Sequence, residues 1–504
     1  MTVTITTMAA AVLLCAPFAA GCWSLLIRTS RQLHLVNLAS MGLLVAAEIL
    51  IARTVLTQGS VTAFDEMVYI DALSSMILFI IGIVGLACSL YMRSYMDEQV
   101  ARGTVAPNRL NLFFFLFHMF LLAMVLATVT NSLGVQWVAI EATTLATTFL
   151  IAFWRRRESL EAGWKYLILC SVGISLALFG VVLMYYSSLH VLGDVSSALN
   201  ITQLQAIAAQ LDPHILKLAF VFLFVGYGTK VGLVPMHSWL PDAYAEAPAP
   251  VAAMLAGVLE TVAVYAILRS RGIVDQAVSP EFSGSLLALF GLLSFSIAAL
   301  FLLLQHNYKR MLAYSSIEHM GLAMVGFGVG GSIGIFGGLF HLVNHAFAKS
   351  LAFFAAGNIH RRYKTVEIGE VHGVASVMPG SALALLVAGL ALAALPPFAL
   401  FASEMQIVTA LGTSGLPGGW GSHGVGGSIL LLLLCNLVAF SALLYRITGM
   451  VWGAAPAAVT RGEPWSTGHL SLVLLGVLLV GLCWVLPSPL RQLLDMASAL
   501  LGGG

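Results

Sequence analysis

Charged side chains lie inside long apolar segments of this sequence, where burial makes a charge costly. Lys230 closes one apolar segment, and Glu260 lies within the next one along the chain. Gly232 and Pro235 stand between them and break the first helix. A helix break at membrane depth frees backbone N–H and C=O groups, so it is tolerated only inside protein or beside a water-filled cavity. A lysine beside such a break is typical of an ion path, which makes Lys230 the first candidate.

One structural alternative exists for Lys230, a side chain that extends from a helix end to the lipid headgroups. Ionisable residues in neighbouring spans, Glu141, Lys165 and Glu260, favour the functional interpretation. A lysine near a carboxylate keeps its proton, and it releases that proton when the carboxylate moves away or is neutralised. Such a switch would move one proton per cycle.

Two short patterns occur twice along the chain, in the same order. The segment Ile140–Ala146 shares Ile-Glu-x-x-x-Leu-Ala with Ile317–Ala323, and Ala162–Leu167 shares Ala-x-x-Lys-x-Leu with Ala346–Leu351. The copies lie five predicted spans apart. Because five is odd, the second copy crosses the membrane in the opposite sense to the first. This pattern predicts the inverted repeat of secondary transporters.

A second proline-broken helix lies where the repeat requires one. Pro396 and Pro397 interrupt an apolar segment that is followed by Glu404. In inverted-repeat transporters the broken helices meet near the membrane midplane and face opposite sides. The sequence therefore predicts two half-channels that share a central axis. The candidate proton pathway consists of the ionisable residues of both halves: Glu141, Lys165, Lys230, Glu260, Glu318, His341, His345, Lys349 and Glu404.

His341, His345 and Lys349 fall at i, i+4 and i+8, so they form one stripe on a single helix. A hydrated proton relay that includes Lys349 and Glu318 is the favoured function. Two histidines four residues apart could instead chelate a metal or ligate haem, but a third Cys, Asp or Glu ligand is not evident at a matching spacing. The remaining alternative is a pair of histidines that are hydrogen-bonded in the core. We therefore expect no metal and no cofactor.

The composition places these residues in a membrane. Of 504 residues, 60% are apolar and 9% are charged, whereas a soluble domain has roughly 25% charged residues. Apolar segments of about 20 residues predict an all-α polytopic membrane protein. The fourteen predicted spans are centred near Ala11, Leu43, Phe79, Phe117, Ala142, Ser175, Phe222, Leu259, Leu293, Met320, Gly338, Leu390, Leu433 and Gly476.

The spans group into four predicted parts. Residues 1–109 hold spans 1 to 3, residues 110–272 hold the first repeat, and residues 273–453 hold the second, inverted repeat. Residues 454–504 hold span 14 and a short amphipathic surface helix.

Basic residues are concentrated in the loops that follow odd-numbered spans, among them the run Arg155–Arg157. The positive-inside bias places these loops in the cytoplasm and both termini outside. We therefore expect a multi-pass protein of a bacterial or archaeal cytoplasmic (inner) membrane, embedded in the lipid bilayer.

Other classes of function lack support in the sequence. The net charge of +1 argues against a nucleic-acid partner. Six cysteines without Cys-x-x-Cys spacing indicate neither a disulfide framework nor a zinc knuckle. The chain has no Gly-x-Ser-x-Gly, His-Glu-x-x-His, Walker or dinucleotide-binding motif, which weakens any case for catalysis within it.

Several motifs together resemble a known family. Pro235–Asp242, Ala247–Pro250, Lys309–Ser316 and His345–Lys349 are similar to segments of the antiporter-like subunits of respiratory complex I and of multisubunit Na⁺/H⁺ antiporters. The similarity extends from about Leu110 to Met450.

Within that superfamily, three further segments most resemble the F component of hydrogenase-4, a family of membrane-arm proteins of group 4 hydrogenases. These segments are Trp137–Leu145, Trp164–Tyr166 and Phe401–Glu404. The resemblance implies that redox chemistry takes place in separate peripheral subunits, to which this chain is coupled.

The resemblance also implies roles for individual residues. It implies a glutamate–lysine pair, here Glu141 and Lys230, with Lys165 nearby. It further implies a central polar axis that runs through His341, His345 and Lys349 to Glu404. The family commonly has a lysine or histidine in the eighth span, where this chain has Glu260. This departure leaves the connection between the half-channels open.

These observations predict a proton-translocating membrane subunit of a group 4 hydrogenase-like or complex I-like respiratory assembly. Its predicted partners are other antiporter-like and small membrane subunits and a peripheral hydrogenase or dehydrogenase arm. One alternative is a Na⁺/H⁺ antiporter subunit or the ion-driven subunit of a substrate-uptake complex. Another is a haem- or quinone-binding redox subunit, which visible absorbance of the purified chain would reveal.

Overall fold

The fold is described from a computed structural model that covers residues 2–193, 195, 197–417 and 421–502. The helices of the first half are α1 Thr2–Ser24, α2 Ser30–Gln58, α3 Ala72–Ala101, α4 Pro107–Val129, α5 Leu133–Ile151, α6 Arg157–Leu192, α7 Ile201–Ile207, α8 Pro213–Val231, α9 Leu240–Glu246 and α10 Ala249–Met254. A π-helical turn, Leu255–Leu259, joins α10 to α11.

The helices of the second half are α11 Glu260–Ala277, α12 Pro280–Leu302, α13 Tyr308–Val329, α14 Gly331–Tyr363, α15 Val374–Val377, α16 Pro379–Leu392, α17 Ala399–Ser414, α18 Gly421–Val451, α19 Thr467–Trp484 and α20 Ser488–Gly502. Short 3₁₀ turns span Ala152–Trp154, Ala208–Gln210 and Ile368–Glu370. The prediction of an all-α polytopic protein is confirmed, because no sheet contributes to the core over the described residues.

A small β-hairpin between α2 and α3 is an element that the sequence did not predict. Its strands, β1 Ser60–Ala63 and β2 Val68–Asp71, pair antiparallel with Ser60 opposite Asp71. Asp71 ends β2 and caps α3 by accepting a 3.0 Å hydrogen bond from the Ser74 backbone N–H. Its carboxylate also accepts a 2.6 Å bond from Nη1 of Arg269, and both side chains are buried. This ion pair ties the hairpin to α11.

Eleven helices of the described chain are long and apolar enough to cross a membrane. The remaining predicted spans correspond to α13, α14 and the interrupted pair α16–α17, which lie outside that set. Both α13 and α14 have sufficient length, 22 and 33 residues. Their mean hydropathy is low because they carry the ionisable side chains that the sequence assigns to the pathway. The total of fourteen spans and the two inverted repeats therefore remain predictions.

Each predicted helix break lies between two helices. Pro235 lies between α8 and α9, whereas Pro396 and Pro397 lie between α16 and α17. At the first break, the Val234 N–H donates to Ser294 Oγ at 2.9 Å, and Trp239 Nε1–H donates to the Thr229 carbonyl at 2.9 Å. Side chains thus satisfy backbone groups that the break releases, as burial in a membrane requires.

The π-helical turn before α11 is a third interruption, which no sequence pattern predicted. It lies within the predicted eighth span and ends directly before Glu260. Gly257 in this turn permits close packing on α14, since a Cβ there would lie 2.9 Å from the Ala346 carbonyl oxygen. A π-helical turn is often found at a functional site.

The predicted division at residue 272 falls inside α11, which ends at Ala277, and the division at 109 falls inside the first turn of α4. Helices of the two predicted repeats also pack directly on each other, because Gly257 contacts α14. The four-part division therefore stays a prediction.

Candidate functional site

Seven of the nine predicted pathway residues are buried inside the helical bundle. Lys230 and Glu260 are fully buried at the first break and after the π-helical turn. The other five belong to α13, α14 and α17: Glu318, His341, His345, Lys349 and Glu404. Acids and bases of both predicted halves are therefore buried within the described chain, whereas Glu141 is half-buried and Lys165 is exposed.

Lys230 lies in the last turn of α8, just before the break begins. Its Nζ donates to the Tyr166 hydroxyl at 2.8 Å and to Thr143 Oγ1 at 3.3 Å. The Tyr166 oxygen also accepts a 2.7 Å bond from Thr147 Oγ1. No carboxylate lies within 4.0 Å of Nζ in the described part of the chain. Hydroxyl groups therefore hold the buried lysine.

Glu141 is half-buried on α5 and is held by hydroxyl groups as well. Its Oε2 accepts a 2.8 Å bond from Thr144 Oγ1, and its Oε1 accepts a 3.0 Å bond from Ser171 Oγ. The charge of Glu141 acts on Lys230, although the two groups are not in contact. The implied pair is thus separated by threonine and tyrosine hydroxyls.

Lys165 points away from the buried line. It is exposed, and its Nζ forms ion pairs with Glu161 at 2.7 Å and with Asp242 at 3.0 Å. Arg310 binds the other oxygen of Asp242. Lys165, Asp242 and Arg310 therefore belong to one ion-pair cluster. This cluster joins α6, α9 and α13 at the end of the first half.

Glu260 is bound by one tyrosine and retains one free oxygen. Its Oε1 accepts a hydrogen bond from the Tyr244 hydroxyl, and its Oε2 has no hydrogen-bond partner in the described structure. Trp239 lies between Tyr244 and Tyr166, with ring centroids 6.1 and 4.9 Å from theirs. An aromatic row therefore connects the Lys230 and Glu260 sites.

Lys349 is the buried base of the second half. Its Nζ donates to the Leu312 carbonyl at 2.8 Å, and the acids whose charges act on it are Glu260 and Glu318. The charge of Glu404 acts in turn on Glu318. Oε2 of Glu318 lacks a hydrogen-bond partner within the described residues. Lys349 is therefore bound by a backbone carbonyl, and acids of both halves contribute to its electrostatic environment.

The histidine stripe has a partner that sequence reasoning missed. His319 of α13 follows Glu318 directly, and its Nδ1 lies 3.1 Å from Nε2 of His341. The other nitrogens of the pair face oxygens, His319 Nε2 at 3.1 Å from the Leu392 carbonyl and His341 Nδ1 at 3.0 Å from Ser403 Oγ. His341 thus pairs across helices and not along its own stripe.

Tyr166→Phe tests the hydroxyl contact at Lys230. The change removes one hydrogen bond to a charged group, which is worth about 1.5–3 kcal/mol. We expect slower proton transfer and a lower thermal unfolding temperature in a chain that still assembles. Proton flux into membrane vesicles and thermal unfolding in detergent measure the two effects. Tyr186→Phe is a matched control because Tyr186 is exposed on the same helix, and equal losses in both variants would contradict a role for Tyr166.

Comparisons with known proteins found matches over most of the chain. The family model described as NADH:quinone oxidoreductase/Mrp antiporter, transmembrane, matches residues 130–429. The Hydrogenase-4 component F homolog of Methylacidiphilum infernorum (isolate V4) is 39% identical over 340 residues, which cover 68% of this chain and 71% of that protein. Hydrogenase-4 component B of Escherichia coli (strain K12) is 30% identical over 68% of this chain and 50% of its own length.

A solved structure with the same fold matches nearly the whole chain. It belongs to the membrane-bound sulfane sulfur reductase, an archaeal respiratory membrane complex, with a TM-score of 0.85 and 24% identity. The alignment covers 98% of this chain and 97% of the other. The resemblance that the sequence motifs indicated is confirmed by these matches.

Proposed function

The chain belongs to the family of NADH:quinone oxidoreductase and Mrp antiporter membrane proteins, and from that premise we propose that it carries protons through the membrane. It acts as a subunit of a group 4 hydrogenase-like or complex I-like respiratory assembly. The observation that carries this proposal is the buried line of ionisable side chains from Lys230 to Glu404. Such groups are costly inside a membrane and are typical of proton relays.

In the first half, hydroxyl groups bind each of the two ionisable residues. Glu141 binds Thr144, and Lys230 binds Thr143 and Tyr166. A hydroxyl both donates and accepts hydrogen bonds, so it can pass a proton between neighbours without becoming charged for long. A proton would move between Glu141 and Lys230 through these hydroxyls once rotation of the Thr144 hydroxyl joins the two sets.

In the second half, Lys349 receives the proton between two acids. The charges of Glu260 and Glu318 act on it from either side. A lysine near carboxylates changes its protonation when either acid is neutralised. Protonation of Glu260 from the first half would therefore cause Lys349 to release its proton toward Glu318 and Glu404.

The half-exposed position of Glu141 supports a membrane partner. Glu141, Leu145 and Phe149 form one stripe on α5, and both apolar side chains are exposed. A carboxyl group that faces lipid is costly, so another membrane subunit covering this stripe would remove that cost. The proposed occupant is an antiporter-like or small membrane subunit of the same assembly. Redox chemistry is assigned to a peripheral hydrogenase or dehydrogenase arm.

The proposed location is a bacterial or archaeal cytoplasmic membrane, with both termini outside. Contacts between loops that follow odd-numbered spans support one common basic face. Arg102 Nη1 donates to the Arg361 carbonyl at 2.9 Å, and Arg446 donates to the Leu303 carbonyl. The positive-inside bias assigns that face to the cytoplasm. Labelling of an Arg93→Cys variant by an impermeant thiol reagent only in inside-out vesicles would agree, whereas labelling only in right-side-out vesicles would reverse the orientation.

Proton uptake by inside-out vesicles tests the function directly. Vesicles that contain the assembly with this chain are expected to acidify during its redox reaction, and vesicles from a strain lacking only this chain are expected to acidify less. A Na⁺ ionophore and a protonophore, added separately, distinguish proton translocation from Na⁺/H⁺ exchange. Unchanged acidification without the chain, at equal redox turnover, would contradict the proposal.

A further inference from the structure

Three side chains from three helices bring metal-ligand atoms together near the end of the buried line. His319 of α13, His341 of α14 and Glu404 of α17 each offer one such atom, and these atoms lie within 4.8 Å of one another. All three side chains are buried, with 1%, 0% and 6% exposure. His341 and His345 had suggested chelation without an evident third ligand, and the fold supplies ligands from the other two helices.

Hydrogen bonding fixes which nitrogens of the pair carry protons. A carbonyl only accepts, so His319 Nε2, at 3.1 Å from the Leu392 oxygen, carries a proton. The Ser403 hydroxyl donates to the Leu400 carbonyl at 2.8 Å, so its oxygen accepts from His341 Nδ1–H at 3.0 Å. In two neutral rings, the remaining nitrogens, His319 Nδ1 and His341 Nε2, both present lone pairs. These lone pairs face each other across 3.1 Å.

Two facing lone pairs repel each other unless a positive species lies between them. A bound transition metal resolves this conflict, because each neutral imidazole then contributes its lone pair to the ion. In metal sites the second N–H of a ligating histidine is usually held by an oxygen acceptor, which fixes the ring and its tautomer. His319 and His341 both show this arrangement.

Glu404 completes the donor set. Its Oε1 lies 3.8 Å from His319 Nδ1, and its Oε2 accepts a 3.1 Å bond from Asn436 Nδ2. Asn436 therefore holds Oε2, and the carboxylate presents Oε1 to the histidines. Both nitrogens of His345 lack hydrogen-bond partners in the described chain, and its ring centroid lies 5.4 Å from that of His319. His345 thus lies beside the three ligands and is not one of them.

We propose that His319, His341 and Glu404 bind a divalent transition metal of the zinc class. Two histidines and one glutamate are a known zinc ligand set with an open fourth position, and Zn–N distances of about 2.0–2.1 Å suit the close nitrogen pair. Rotation of the Glu404 side chain brings its oxygen within reach.

A Zn²⁺ ion bound at this site would block proton transfer. A bound Zn²⁺ takes the lone pairs that would otherwise accept a proton, and it fixes Glu404 as a carboxylate. Proton transfer through the second half would stop while the ion is bound. This consequence rests on the proposed function, whereas binding of the ion does not.

Zinc binding to the intact, full-length chain in its native assembly tests the site. After removal of adventitious metal, equilibrium binding of radioactive Zn²⁺ is compared between wild type and a His319→Ala/His341→Ala double variant. We expect wild type to bind one Zn²⁺ per chain more than the double variant binds. X-ray absorption at the zinc edge is expected to show nitrogen and oxygen ligands without sulfur. Ser403→Ala leaves all ligands in place, and loss of its support is expected to weaken binding about 10- to 100-fold.

His118→Gln is the matched control, since His118 is a fully buried histidine on α4 outside the cluster. It should bind Zn²⁺ like wild type. Equal binding by the double variant and wild type would overturn the proposal, as would absence of the additional ion in wild type. If wild type lacks the additional ion, His319 and His341 form an imidazole–imidazolium pair, in which one shared proton lies between the two facing nitrogens. Zinc binding without any effect on proton flux would leave the site intact and count against the proposed function alone.

Discussion

Replacing Lys230 with methionine is expected to abolish proton translocation and to leave an assembled chain. The partners of Nζ are the neutral oxygens of Tyr166 and Thr143. Removing one member of a buried ion pair costs about 3–5 kcal/mol because the other charge remains buried without a partner. No such charge is left behind here, and methionine has nearly the length and volume of the lysine stem. The Lys230→Met chain should therefore still fold, although it lacks the proton-binding group at the end of α8.

The measurement is acidification of inside-out vesicles at equal redox turnover and equal amounts of the chain. We expect Lys230→Met to give the signal of vesicles that lack the chain. Lys217→Met is the matched control, because Lys217 lies on the same helix and is exposed near its beginning. Normal acidification by Lys230→Met, with the variant present in the assembly, would remove Lys230 from the pathway.

The features that could be predicted from the sequence are those that depend on residue type and spacing alone. Gly232 and Pro235 must end α8, and a lysine among apolar residues must be buried or reach the headgroups. The membrane class follows from the scarcity of charge. These statements need no knowledge of which helices become neighbours.

Partners across helices could not be predicted in this way. His319 lies one residue after Glu318 on α13, which turns it about 100° away on the helix surface, and only the position of α14 makes it the neighbour of His341. Lys165 and Lys349 occupy matching positions in the repeated pattern, yet only Lys349 is buried. The structure instead turns Lys165 to Asp242 at the surface. A repeated pattern specifies helix position, and the neighbouring helices decide burial.

Glu260→Gln is the second variant with a large expected effect, because Glu260 lies where the two halves meet. The amide oxygen of glutamine can still accept the hydrogen bond from Tyr244, and the volume is unchanged. The amide can neither bind nor release a proton at physiological pH, and it presents no negative charge to Lys349. We therefore expect an assembled chain that acidifies vesicles no better than Lys230→Met. Glu281→Gln, at the exposed beginning of α12, is the control and should retain wild-type acidification.

A large effect is expected because the family resemblance implies a base in this span, where this chain has the acid Glu260. A base there could accept a proton from Lys230 and pass it to Lys349 through successive cationic states. An acid between two lysines works by neutralisation, because protonation of Glu260 removes the charge that acts on Lys349. Tyr244→Phe separates the alternatives: it removes the hydrogen bond but keeps the acid, so it should slow acidification without abolishing it. If Glu260→Gln acidifies vesicles normally while Lys230→Met does not, protons pass from the first half to Lys349 without Glu260.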